Sequence, residues 1–240
     1  VGSEMCIRDR LQTGSTFKIM ALAAALQQGI SLDTNYSSAP YQLPGSDVVT
    51  NVGGGCGVCN LREATKQSLN TSFLRLQADL KNGTQDTADM AHALGVAKSL
   101  PGIDKTLTEK GKQPFEGIAL GQYQSRPLDM ATAMSTLANQ GVWHNPHFVQ
   151  RVENAAGEVL YEHPEDGGER RVSSNVANNV LEAMEPVAAW SNGALAGGRV
   201  SASKTGTTQM GDTGNNKDAW MVGATPVSYT HLTLPTIYSV

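Results

Sequence analysis

The hydrophobic and polar positions divide the chain into a mainly helical first part and a second part that mixes helices with strands. Apolar residues at helical spacing predict helices over 15–28, 61–81 and 84–95, and glycines at 29 and 95 end the first and the third. The stretch 29–60 is rich in glycine, proline and serine, and we expect it to be mostly loop. The first part therefore predicts a helical lobe.

The second part predicts two further helices and two antiparallel strand pairs. Pro127 stands in the first turn of a helix that runs from Ser125 through Gln140, and Ser173 or Ser174 caps another that runs through Met184. Short runs of residues bounded by turn signals predict strands. The predicted strands are His147–Glu153 paired with Gly157–Glu162, and Val200–Thr208 paired with Ala219–Ala224.

Composition narrows the class of protein. The chain has 240 residues, 40% of them hydrophobic and 17% charged, which is enough for one large domain or two small ones with a real core. The net charge of −4 comes without any basic cluster, so a nucleic-acid partner is not expected. The apolar run Ile19–Leu26 is too short to span a bilayer, and no signal peptide is recognisable.

The two ends of the chain do not continue the patterns beside them. Residues 1–10 and 227–240 resemble translated sequencing-adapter scars, so they are set aside and the native part is expected to cover about 11–226. The alternative is an ordinary terminal strand around Leu232–Tyr238.

Ser15 and Lys18 are candidate nucleophile and base. They begin a strongly helix-forming run, and residues at i and i+3 share a helix face, which places the lysine amine beside the hydroxyl. A serine hydroxyl needs such a base, and lysine serves as one when burial or a nearby cation keeps it neutral. Lys204 is the candidate second cation. Ser201 has the same spacing from Lys204, but it lies in a predicted strand, where residues three apart face opposite sides.

Cys56 and Cys59 form a C-x-x-C motif in a glycine-rich loop. A zinc site would need two more ligands, and no second paired motif is present. A thioredoxin-like redox site would need a βαβ setting, which is missing. A small disulfide that closes the loop fits an oxidising compartment and is the favoured interpretation, with two unpaired thiols as the alternative.

Three short motifs occur in a fixed order: S-x-x-K at Ser15–Lys18, S-x-N at Ser68–Asn70, and K-T-G at Lys204–Gly206. A second S-x-N, Ser173–Asn175, is explained as a helix cap. The ordered set is typical of serine enzymes that recognise penicillins. The chain thus resembles the transpeptidase domain of penicillin-binding proteins. The resembling blocks are Gly14–Lys18, Ser68–Thr71, Ala119–Gln122, Leu137–Gly141, Lys204–Thr208 and Asp218–Pro226.

The resemblance covers essentially all of 11–226. The block at Asp218–Trp220 is more similar to the bifunctional class A proteins than to class B, whereas Thr13 stands where the family commonly has proline. The implied fold is α+β and β-lactamase/transpeptidase-like, with an antiparallel sheet flanked by helices, a mainly helical lobe, and the active site between them. The family's sheet uses further strands outside 11–226, so a partial domain, incomplete at both ends, is expected.

The resemblance also implies a role for each catalytic residue. Ser15 would attack the penultimate D-alanine carbonyl of a D-Ala-D-Ala stem peptide, and Lys18 would take its proton. Ser68 would relay a proton to the leaving group, and Lys204 would hold that relay and the substrate carboxylate. Asn70 would bind the substrate amide and orient Lys18.

Substrate-binding residues are implied in the same way. Thr205 and Thr207 would bind the terminal carboxylate, and the backbone N–H groups of Ser15 and Thr207 would form the oxyanion hole. A side chain at Gly206 would obstruct approach of the substrate to the backbone. Gln122 is assigned either to substrate contact or to ordering its loop. No cofactor and no metal are implied.

The expected function is a D,D-transpeptidase that cross-links peptidoglycan through a serine acyl-enzyme and is acylated by β-lactams. Its partners would be a D-Ala-D-Ala donor and an amine acceptor, outside the cytoplasmic membrane, with the membrane anchor in missing upstream sequence. The alternatives are a D,D-carboxypeptidase or β-lactamase-type hydrolase, and a β-lactam sensor that does not turn over. The class A β-lactamase version is disfavoured because no Glu-x-x-Leu-Asn-like segment lies between Ser68 and Lys204.

Overall fold

The computed structural model of the chain describes residues 9–45, 47–210, 213 and 215–225. The helices found there follow the predicted order along the chain. They are α1 (Lys18–Gln27), α2 (Leu61–Lys66), α3 (Asn70–Ala78), α4 (Thr84–Leu94), α5 (Pro127–Ala138) and α6 (Ser174–Trp190), with 3-10 turns at Gly14–Phe17, Glu116–Leu120 and Ala196–Gly198.

Strands pair two by two, and every pair is antiparallel: β1 with β6, β2 with β5, β3 with β4, β7 with β10, β8 with β9, and β11 with β12. Their bounds are β1 (Leu11–Gln12), β2 (Asn35–Ser37), β3 (Tyr41–Gln42), β4 (Val48–Val49), β5 (Val58–Asn60), β6 (Gln124–Ser125), β7 (Val142–Trp143), β8 (Arg151–Glu153), β9 (Val159–Glu162), β10 (Glu169–Arg170), β11 (Ala202–Gln209) and β12 (Asn216–Ala224).

Helix α1 lies at the centre of the core. Its residues from Lys18 to Ala25 are all buried, as expected of a helix whose sequence is apolar on every side. It packs against α3, α4 and α6. Any side chain at the beginning of α1 is therefore held by a packed core, which fixes the position of Lys18.

The β11–β12 hairpin packs against the helical part of the core. Lys204 pairs with Val222 and Gly206 with Trp220, and both partners are buried. Helix α6 and the Gly14–Phe17 turn pack on β11, while α5 packs on β12. The predicted α+β class, with a helical part against an antiparallel sheet and flanking helices, is confirmed; within the described residues this sheet has two strands.

The single helix predicted over 61–81 is wrong. The chain leaves the helix after Lys66, Ser68 takes a positive φ of 56°, and α3 begins anew at Asn70. Apolar periodicity continues across the break, so the pattern gave no sign of it. The cause is tertiary: the Ser68 carbonyl turns inward to accept a hydrogen bond from the Lys18 amine.

Other boundaries differ by a few residues. The first helix starts as a 3-10 turn, and α6 continues past Met184 to Trp190 even though Pro186 removes one helical hydrogen bond. Burial of Val187 and Ala188 against the core explains this continuation. Thr84 is the first residue of α4 rather than its cap, and its hydroxyl donates to the Pro114 carbonyl instead.

The loop 29–60 contains four of the short strands and a disulfide between Cys56 and Cys59, the pairing that the sequence analysis favours. Of the terminal segments set aside above, 1–8 and 227–240 lie outside the described residues, so the boundaries 11–226 stay a prediction. Among the described helices, none combines the length and apolar character needed to cross a lipid bilayer.

Candidate active site

The serine turn presents Ser15 at the entrance to α1. Gly14–Phe17 forms a 3-10 turn, in which the buried Thr16 hydroxyl donates to the Thr13 carbonyl over 2.8 Å. Lys18, the first residue of α1, lies one turn further on the same face. Its Nζ is 2.9 Å from Ser15 Oγ, the placement that their spacing predicts.

The break between α2 and α3 brings the S-x-N motif to the same amine. Lys18 Nζ donates to the Ser68 carbonyl over 2.6 Å and to Asn70 Oδ1 over 2.7 Å, and it lies 3.2 Å from Ser68 Oγ. The positive φ of Ser68 turns both its carbonyl and its hydroxyl toward α1. Two segments separated by 50 residues thus meet at one nitrogen.

Lys204 reaches the cluster from β11. Its Nζ donates to Ser68 Oγ over 2.7 Å and to the Thr205 carbonyl over 2.9 Å, and its side chain is fully buried. Ser68 Oγ therefore lies between the two amines. Among the residues described, no carboxylate forms an ion pair with either lysine.

Burial lowers the pKa of both lysines. The pKa of Lys18 falls well below its usual range, first because of burial and second because Lys204 is close; burial lowers the pKa of Lys204 to about 7. Both shifts favour the uncharged form of the amine. A neutral amine has two N–H donors, which Ser68 O and Asn70 Oδ1 accept, and one lone pair, which is left for the Ser15 hydroxyl. This arrangement suits a base.

We expect the free energy of unfolding to rise with pH above about 7 because of Lys204. Between its folded pKa of about 7 and the ordinary value of 10.5, the unfolded chain binds one proton more than the folded chain, and stability then increases with pH. Lys18 acts with the same sign. Urea denaturation of wild type and Lys204→Met across this range measures the effect. The free energy of unfolding should increase less steeply with pH in the variant than in wild type. Equal slopes in the two proteins would contradict the lowered pKa of Lys204.

Gly206 faces the serine turn rather than open space. A Cβ on this glycine would collide with the Thr13 carbonyl and would lie 2.8 Å from Thr16 Cγ2. The family resemblance predicts that this glycine leaves room for the substrate to approach the backbone. The structure corrects that reason, because the protein's own backbone occupies the space.

The main chain of Thr207 lies against the serine turn. A Cβ on Gly14 would be 2.8 Å from the Thr207 nitrogen. The backbone segments that carry the N–H groups of Ser15 and Thr207 are therefore packed against each other. Residues alternate along β11, with Lys204 and Gly206 inward. Thr205 is half-buried, whereas the side chain of Thr207 is exposed.

Gln122 lies beside this region without joining the cluster. Gly121, with φ of 77°, packs its main chain on Gly14, and the Gln122 carbonyl accepts a hydrogen bond from Gln12 Nε2 over 2.9 Å. The Gln122 side chain is exposed. Its predicted role, in substrate contact or in loop order, stays a prediction.

Two contacts at the site leave no signal in the sequence, because a backbone carbonyl makes each of them. One is the Ser68 carbonyl at Lys18. The other is the Thr50 carbonyl, which accepts from Asn70 Nδ2 over 3.2 Å while Asn70 Oδ1 faces Lys18. Backbone acceptors have no residue-type signal in a sequence.

Comparison with known proteins supports the motif-based resemblance. The family described as the penicillin binding protein transpeptidase domain matches residues 3–235. This chain belongs to that family. The resemblance inferred from the three motifs is thereby confirmed at the level of the family.

Individual relatives of this transpeptidase domain agree. Penicillin-binding protein 1A of Mycolicibacterium smegmatis is 56% identical over 220 residues, 90% of this chain and 28% of that protein. Peptidoglycan D,D-transpeptidase PbpA of the same species is 33% identical over 239 residues, 92% of this chain and 48% of that protein. The solved PonA1 protein of Mycobacterium tuberculosis, in complex with penicillin V, superposes with a TM-score of 0.85 at 55% identity, covering 91% of this chain and 58% of that one. The chain spans about a quarter to a half of the curated relatives' lengths.

Proposed function

We propose that the chain carries the acyl-transfer site of a peptidoglycan D,D-transpeptidase, with Ser15 as the nucleophile. The observation that carries this is the 2.9 Å contact between Ser15 Oγ and the buried amine of Lys18, which forms no ion pair with a carboxylate in the described part of the chain. Similarity to a protein named D,D-transpeptidase and to one solved with penicillin V supports it.

In the proposed acylation, Ser15 Oγ attacks the carbonyl carbon of the penultimate D-alanine as its proton passes to Lys18 Nζ. The peptide C–N bond breaks, and the leaving nitrogen of the terminal D-alanine takes a proton through Ser68 Oγ. Lys204 Nζ donates a hydrogen bond to that oxygen over 2.7 Å and so keeps it in position for the proton transfer. The product is an ester on Ser15 and free D-alanine, with Lys18 returned to its neutral form.

In the second step an acceptor amine attacks the ester. Lys18 takes a proton from the amine, the C–O bond to Ser15 breaks, and Ser15 Oγ regains its hydrogen. A β-lactam acylates Ser15 in the same way, but its leaving nitrogen stays tethered to the acyl group, so the ester persists. Attack by water in place of the amine would make the chain a hydrolase.

Substrate contacts complete the proposal. The backbone N–H groups of Ser15 and Thr207 would stabilise the oxyanion, each worth about 10²–10³-fold in rate. Thr205 and Thr207 would hold the terminal carboxylate with Lys204, and Gln122 would border the site. The donor would be a D-Ala-D-Ala stem peptide and the acceptor an amine on a second one. Such cross-linking takes place outside the cytoplasmic membrane, and the Cys56–Cys59 disulfide fits that oxidising location.

The test is intact-protein mass spectrometry after incubation of the 240-residue chain with a penicillin, with circular dichroism to verify folding. We expect a lasting adduct of one penicillin on the Ser15 peptide, and none on Ser15→Ala. An adduct retained by Ser15→Ala, or a folded wild type that takes up no penicillin, would refute the assignment. Rapid loss of the adduct with consumption of penicillin would indicate the hydrolase instead.

A further inference from the structure

Helix α3, which carries Asn70, has no capping residue of its own. The residue at its N-cap is Leu69, whose side chain accepts no hydrogen bond, so the first N–H groups of the helix need partners from elsewhere. Asn51, twenty residues earlier in the loop after β4, supplies one. Its Oδ1 accepts from the backbone N–H of Thr71 over 3.0 Å. This is the contact that a local cap normally makes.

The Asn51 side chain uses both ends of its amide. Its Nδ2 donates to the Thr71 hydroxyl and to the Ser38 carbonyl, both over 2.9 Å. Thr71 is fully buried and Asn51 is half-buried, so these bonds are partly shielded from water. The loop around Asn51 is therefore hydrogen-bonded to the first turn of α3 on one side and to Ser38, directly after β2, on the other.

Docking of Asn51 places its neighbour Thr50 against the active site. The Thr50 carbonyl accepts from Asn70 Nδ2 over 3.2 Å, which leaves Asn70 Oδ1 facing Lys18 Nζ at 2.7 Å. We infer that Asn51 is a positioning residue for acyl transfer: by capping α3 from a distance, it fixes the side-chain amide of Asn70 and, through it, the amine of Lys18. The inference rests on the proposed function.

The chemistry of the amide explains why this orientation matters. Lys18 offers two N–H donors, and only the oxygen end of Asn70 accepts one of them. If the Thr50 carbonyl moves away, the amide is free to turn its NH₂ group toward Lys18. Lys18 then loses one of the two acceptors that direct its lone pair at Ser15 Oγ.

The variant Asn51→Ala tests the inference. We expect acylation by a penicillin to slow by about tenfold, with the change in the rate of the chemical step rather than in the initial affinity. Asn51→Asp keeps an oxygen for the Thr71 N–H but loses the Nδ2 donor, and it should recover part of the rate. Ser173→Ala is the matched control, because it removes the cap of α6, the 3.2 Å bond from Val176 N to Ser173 Oγ, a contact that involves none of the cluster residues.

A double-mutant cycle separates positioning from general stability. If Asn51 acts through Asn70, Asn51→Ala should add little to the effect of Asn70→Ala. The inference would be overturned if the rate losses of Asn51→Ala and Asn70→Ala multiply in the double variant. It would also be overturned if Asn51→Asp recovers none of the rate, or if Ser173→Ala loses as much as Asn51→Ala. Should the alanine variant unfold, Asn51→Gln, which displaces the same amide by one methylene, takes its place.

A second readout needs no acylation and so distinguishes this inference from the proposed function. The side-chain NH₂ group of Asn70 should have a high NMR order parameter in wild type and in Ser173→Ala, and a lower one in Asn51→Ala. Unchanged order in Asn51→Ala would refute the positioning role even if Ser15 is acylated. Lower order in a chain that no penicillin modifies would instead uphold the positioning contact and refute the function.

Discussion

Replacing Lys18 with methionine is expected to slow acylation of Ser15 by about 10³-fold while the protein stays folded. A positioned general base typically contributes 10²–10⁴-fold. The variant removes the nitrogen 2.9 Å from Ser15 Oγ but keeps an unbranched chain of similar length in the buried site. Two effects on stability oppose each other: Ser68 O and Asn70 Oδ1 lose a donor, but a buried amine is no longer desolvated.

The measurement is the second-order rate of adduct formation by mass spectrometry, with the melting temperature recorded in parallel. Lys105→Met, at an exposed lysine, serves as the matched control and should acylate at the wild-type rate. Because a neutral Lys18 is required, the wild-type rate should increase as pH increases through the lowered pKa of Lys18, and this limb should vanish in Lys18→Met. A folded Lys18→Met variant that acylates within tenfold of wild type would exclude Lys18 as the base.

The sequence predicts the Ser15–Lys18 pair well because its geometry is local. The spacing of three on a strong helix former leaves little choice of arrangement, and the structure has the two atoms at hydrogen-bond distance. Lys204 lies 136 residues from Ser68, yet the order of the motifs sufficed to bring them together through the family resemblance. The α+β class followed from the same resemblance.

What the sequence could not predict is where tertiary contacts override a local pattern. The helix breaks at Ser68 although the apolar periodicity continues through this residue. The hydrogen bond from Lys18 to the Ser68 carbonyl stabilises a positive φ that the local sequence does not favour. The cap from Asn51 left only an indirect signal: an apolar Leu69 stands where a helix start usually has a polar residue. Such a gap predicts that a distant acceptor exists, but it does not say which one.

Replacing Gly206 with alanine is expected to destabilise the protein by about 3 kcal/mol, the upper end of typical overpacking costs. The added methyl group would collide with the Thr13 carbonyl and crowd Thr16, and both belong to backbone that the core holds in place. The strand must then move away from the serine turn. That movement carries the Thr207 N–H away from Ser15, and we expect acylation of the folded variant to fall by about 10²-fold, the cost of losing one oxyanion donor.

Gly193→Ala is the matched control for this substitution. Its Cβ would meet chiefly the flexible end of Met221, 3.1 Å from Cε, so the side chain can yield and both stability and acylation should stay near wild type. Urea denaturation measures the first quantity and adduct formation the second, at a temperature where the variant is folded. A Gly206→Ala protein with wild-type stability would show that β11 can separate from the serine turn at little cost. Reduced stability with an unchanged acylation rate would show instead that the Thr207 N–H contributes nothing to the oxyanion site, because the strand carrying it would have moved without effect on the reaction.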